Sequence, residues 1–88
     1  MEIWKGLSLS TAHVTATDAD FLAYEESAII LNRETGFFIY VSPDFRRGFM
    51  DCSPSFMKLY DYCLENDYRW LELDNAAETS SKFKTFDW

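Results

Sequence analysis

Two apolar runs, Ser27-Ala28-Ile29-Ile30-Leu31-Asn32 and Gly36-Phe37-Phe38-Ile39-Tyr40-Val41, meet at the short joint Asn32-Arg33-Glu34-Thr35-Gly36. β-branched and aromatic residues on both sides of such a joint predict a β-hairpin, with Gly36 available for a backbone of positive φ. The hairpin commits the chain to a sheet, and the rest of the sequence has to supply the other strands and a cover. Leu7-Ser8-Leu9-Ser10 alternates apolar with small polar residues and predicts a strand over about 5–11, reaching at most Val14. Tyr68-Arg69-Trp70-Leu71-Glu72-Leu73-Asp74 alternates again and predicts the last strand, with Leu71 and Leu73 on one face and Trp70 and Glu72 on the other.

Between these lie two helices. Thr17 is placed to cap a short one over about 18–26, with Asp18 and Asp20 putting negative charge against the free amides of its first turn. Ser53-Pro54 marks the second, a capping serine followed by proline where the missing N–H costs nothing. Phe56, Leu59, Tyr60, Cys63 and Leu64 then fall on one stripe, and Asn66 ends the run. Ser42 to Asp51 holds Pro43, Gly48 and two arginines without periodicity and reads as a loop. Asn75 to Trp88 is a tail whose Phe83, Phe86 and Trp88 predict that it docks on the domain.

The order β-α-β-β-α-β predicts an α+β fold, a ferredoxin-like sandwich in which two helices cover one face of a four-stranded, mainly antiparallel sheet, all in a single domain over 1–88. The other face then meets water or a partner. Sixteen aromatic side chains exceed what two short helices can hide, and Phe38, Tyr40 and Trp70 alternate with core positions. An exposed aromatic patch of that kind marks a protein interface.

With 15 acidic and 8 basic residues the chain carries a formal charge of −7, which argues against direct binding of nucleic acid through phosphate neutralisation. At 48% hydrophobic and 18% aromatic it has too much apolar material to stay disordered. The length of 88 residues leaves no room for a two-domain enzyme with an interdomain site. No stretch approaches the roughly 18–20 apolar residues of a membrane span, and the start lacks a basic segment followed by an apolar run. Cys52 and Cys63 lie too far apart along a helical path for a disulfide, so reduced thiols and a cytoplasmic location are expected.

Catalytic and cofactor motifs are weak. His13 and Cys52 could form a nucleophilic pair, with the helix start lowering the thiol pKa, but no oxyanion-hole motif or third member accompanies them. Asp18-Ala19-Asp20 lacks the further ligands of a calcium loop, and Gly6, Gly36 and Gly48 are too isolated for a phosphate cradle, so no metal and no nucleotide cofactor is implied. Arg46-Arg47 between Phe45 and Phe49 forms one basic, aromatic-interleaved patch, which reads as a solvated loop in so acidic a chain.

The acids carry more. Carboxylates next to exposed rings suit the basic surface of a protein that itself handles nucleic acid. The expected partner-binding set is Asp61, Glu65, Asp67, Glu72 and Asp74 for charge, with Tyr62, Tyr68 and Trp70 as anchors.

Leu9-Ser10-Thr11-Ala12-His13-Val14 and Trp70-Leu71-Glu72-Leu73-Asp74 resemble the opening and closing strands of small domain-of-unknown-function proteins carried by phages and plasmids near anti-restriction genes. In size and acidity the chain is also similar in type to the anti-CRISPR proteins. That likeness implies a non-enzymatic inhibitor that binds a basic CRISPR effector or surveillance complex and blocks its DNA binding. A self-associating structural or adaptor domain of a mobile element, a homodimer through the open sheet face, is the second expectation. A small thiol enzyme using Cys52 is the third.

Overall fold

The computed structural model describes residues 5–24 and 30–87. In order these form β1 (Lys5–Leu9), a 3-10 turn (Thr11–His13), α1 (Ala16–Tyr24), β2 (Ile30–Arg33), β3 (Gly36–Tyr40), a longer 3-10 stretch (Pro43–Phe49), α2 (Pro54–Glu65) and β4 (Tyr68–Asp74). The expected first residues of the hairpin, Ser27–Ile29, and the last two expected residues of the first helix, Glu25 and Glu26, lie outside the described residues.

The strands lie side by side in the order β1-β4-β3-β2. β4 runs parallel to β1 and antiparallel to β3, and β3 runs antiparallel to β2. The fold is α+β, but the ferredoxin-like sandwich is not what forms. That arrangement interleaves its two crossovers and places β1 between β3 and β4, whereas here β4 takes the inner position and β1 the edge. The reason is the parity of the connection. Tyr40 pairs with Trp70, so the chain leaves β3 and enters β4 at the same end of the sheet. Such a connection needs a run out and a run back, and Ser42 to Asp51 is not the loop expected. Ser42 caps a 3-10 helix by accepting from the Asp44 N–H, Pro43 opens it, and Phe49 at its end is buried against Phe56 and Tyr60 at centroid distances of 5.5 and 5.0 Å. The Tyr60 hydroxyl fastens its start, donating to the Ser42 carbonyl at 3.0 Å and accepting from the Ser42 N–H at 3.1 Å.

Alternation gives the sheet two unlike faces. Leu9, Ile39, Leu71 and Leu73 join Leu22 of α1 and Phe56, Leu59, Tyr60 and Cys63 of α2 in one core. The hairpin turn is tighter than its sequence suggests, since Arg33 already pairs with Gly36 and only Glu34-Thr35 remain between. No described glycine has a positive φ. Gly36 is needed for another reason: a Cβ there would fall 1.7 Å from the Leu73 carbonyl oxygen of β4.

The helix starts are tied together. Thr15, rather than Thr17, caps α1: its hydroxyl accepts from the Asp18 N–H and the Asp18 carboxylate accepts from the Thr15 N–H, both at 3.0 Å. The same carboxylate accepts from the Ser53 N–H at 2.7 Å and from the Ser53 hydroxyl, while that hydroxyl caps α2 by accepting from the Phe56 N–H at 3.2 Å. Asp18 is buried, so each of its bonds forms in a low dielectric and an alanine there strands three donors.

Asp18→Ala should lower the unfolding free energy by roughly 2–4 kcal/mol in urea melts, the combined cost of a lost cap and of buried donors without a partner. A loss below about 1 kcal/mol would contradict the shared-cap account. Gly36→Ala should cost on the order of 1–3 kcal/mol or more, because the β3–β4 pairing has to spread to admit the methyl group.

Candidate functional site

The sheet face turned away from the core carries the rings. Phe38 and Tyr40 of β3 and Trp70 of β4 point to this side, opposite in direction to Ile39 and Leu71. Phe38 and Trp70 lie 4.7 Å apart, Tyr40 meets Trp70 edge-on at 5.2 Å, and Phe45 from the 3-10 stretch adds a fourth ring 5.8 Å from Tyr40. All four lie outside the core cluster; three are half-buried and Phe45 is 38% exposed. β1 passes close on the other side of Trp70, where a Cβ on Gly6 would come within 3.1 Å of the Trp70 Cβ. Beyond the rings, the Ser8 hydroxyl donates to Glu72 Oε1 at 2.8 Å. The result is a strip of four rings in mutual contact, with the Glu72 carboxylate beside it.

The eight residues expected to bind a partner divide between two sides of the domain. Trp70 and Glu72 belong to the ring face. Tyr68 does not, although it shares their strand: the β1–β4 register shifts between Lys5 and Gly6, and Tyr68 packs toward α2, 6.2 Å from the Tyr62 ring. Tyr62 in turn meets Phe83 of the tail edge-on at 5.2 Å. Asp61 is engaged by Arg46, whose Nε and Nη2 donate to its two carboxylate oxygens at 2.7 and 3.0 Å. That hydrogen-bonded guanidinium holds the Asp61 carboxyl below the usual range. Glu65 ends α2, exposed, beside Asp61 and Tyr62. Asp67 holds the left-handed position after the helix, with φ of 59°. Asp74 accepts from the Thr35 hydroxyl at 3.0 Å and the Ala76 N–H at 2.8 Å, tying the hairpin turn to the end of β4. The basic loop patch divides likewise, with Arg46 on Asp61, Phe49 in the core and Phe45 on the ring face. Phe45 is the ring-face member that loop composition conceals, because nothing local distinguishes it from Phe49.

Residues 6–88 match the model of a family of unknown function, DUF5983, over its C-terminal domain. The chain belongs to that family. No curated protein and no solved structure matches it. The family assignment agrees with the resemblance to uncharacterised domains drawn from the first and last strands.

The DUF5983 domain keeps its thiols out of reach. Cys52 and Cys63 are free and buried. Burial, with Asp18 and Asp51 nearby, pushes the Cys52 thiol up to about 12, and burial alone does the same for Cys63. This is the reverse of the environment that activates a sulfur nucleophile. His13 is also occupied, with Nδ1 2.9 Å from the Lys84 carbonyl oxygen and Nε2 accepting from the Ser80 N–H at 2.8 Å.

In the folded domain at about pH 8, a disulfide reagent should leave both thiols unmodified over a time in which the denatured chain reacts fully. Rapid modification of Cys52 in the folded state would contradict the protonated, buried thiol.

Proposed function

We propose that this domain is a non-enzymatic binding module that docks a basic partner protein on the ring face formed by Phe38, Tyr40, Phe45 and Trp70. The observation that carries the reading is the contact of these four rings outside the core. Rings already in contact lose little freedom on binding and offer a large apolar area, the character of an interface anchor. The charge of −7 supports a basic partner, since it favours encounter with positive surfaces and opposes both nucleic acid and a second copy of the same chain. In its narrower form the proposal is an inhibitor from a phage or other mobile element, acting in the host cytoplasm by covering the DNA-binding surface of a CRISPR effector complex. Size, acidity and the type resemblance to anti-CRISPR proteins support that form.

The test is titration of the domain into a purified, DNA-free CRISPR effector complex, with a single-stranded oligonucleotide and the domain's own dimerisation as parallel measurements. Trp70→Ala and Tyr40→Ala should each weaken binding to the effector at least tenfold with the fold retained, an amount in keeping with loss of a central aromatic anchor. Added salt should slow association. Unchanged affinity in both variants would overturn the ring-face reading. Tight binding of the oligonucleotide, stacking bases on the sheet, or a dimer abolished by Trp70→Ala would replace the basic protein with those partners.

A further inference from the structure

We propose that segment 80–86 is a latch that His13 holds shut only while its imidazole is neutral, so that acidification opens it without unfolding the sheet. The imidazole is fully buried and both of its nitrogens are bound to the backbone of this one segment. Nδ1 faces the Lys84 carbonyl oxygen at 2.9 Å and has to donate, while Nε2 faces the Ser80 N–H at 2.8 Å and has to accept. This pair of contacts selects one neutral tautomer. A second proton has only Nε2 to go to, and there it meets the Ser80 N–H head-on. The ring and the latch therefore separate when the proton binds.

The small cleft adjoining the imidazole is lined by Pro54, Ser55 and Lys58 of α2 and by Phe83 and Lys84 of the latch, which bring two cations and no carboxylate to this side of the ring. Phe83 stands edge-on to the imidazole at 5.9 Å. From the 3-10 turn before α1 no charged group other than His13 itself contributes. Among the described residues the latch is also fastened by the Phe86 N–H, which donates to the Ala12 carbonyl at 2.7 Å, by Lys82 Nζ, which reaches the Tyr62 hydroxyl at 3.3 Å, and by Phe83, which packs against the core. Opening uncovers the Tyr62 side of α2, which Phe83 now caps. The latch is thus distinct from the ring face and stands whether or not that face binds a partner.

The experiment is amide hydrogen exchange by NMR at about pH 7.5 and about pH 5.5, corrected for intrinsic rates, a span that brackets the ordinary protonation of histidine. In the native sequence the protection of Ser80 and Phe86 should fall by several-fold, up to about tenfold, at the lower pH while Leu71 and Leu73 of β4 keep theirs. His13→Gln, which retains a donor and an acceptor but does not titrate, should abolish the pH step. The proposal is overturned by protection at Ser80 that does not change with pH, by a step of equal size in His13→Gln, or by loss of protection in β4 together with the latch.

Discussion

Period-two alternation in β3 and β4 is the constraint on which the remaining structure depends. It sends Phe37, Ile39, Leu71 and Leu73 toward the helices and Phe38, Tyr40, Trp70 and Glu72 the other way, and a one-residue slip would exchange the two sets. Gly36 guards that register, because only a residue without a side chain lets β3 come so close to Leu73. The domain's apolar residues are thereby divided between a core beneath the helices and a strip of rings on the opposite face of the sheet.

Two polar devices hold the cover in place. The Asp18 carboxylate joins the starts of α1 and α2, so neither helix is capped independently of the other. The His13 imidazole does the same for the C-terminal segment, binding it through backbone atoms alone. Both groups are buried and both exploit the strength of hydrogen bonds away from water. They differ in consequence: the carboxylate bonds only to donors of helix starts, whereas the imidazole offers one lone pair that a proton can take.

Much of the local structure was legible in the sequence because its signals are local. Ser53 and Pro54 begin α2, Asn66 ends it, and β4 spans Tyr68–Asp74 as alternation indicates. What was not legible depends on distant partners. The 3-10 stretch Pro43–Phe49 has no apolar period of its own and is organised by Phe56 and Tyr60 from α2, and missing it reversed the expected direction of β4 relative to β3. Tyr68 parts from Trp70 because of a register shift opposite Lys5 and Gly6, which one strand alone does not reveal. Among the expected site residues, Trp70 and Glu72 are the ones that lie on the ring face. The criteria of charge and aromaticity also selected Asp61, whose carboxylate is taken up by Arg46, and Asp67 and Asp74, which serve turns.

We place the docking surface at the rings on the sheet face turned away from the core, and not at those beside α2. Hydroxyl-radical footprinting of the domain, free and bound to a basic effector complex, tests it directly. The account predicts that Phe38, Tyr40, Phe45 and Trp70 lose oxidation on binding while Tyr62 and Tyr68 keep theirs. Protection confined to Tyr62 and Tyr68, with the four ring-face residues oxidised as before, would contradict it.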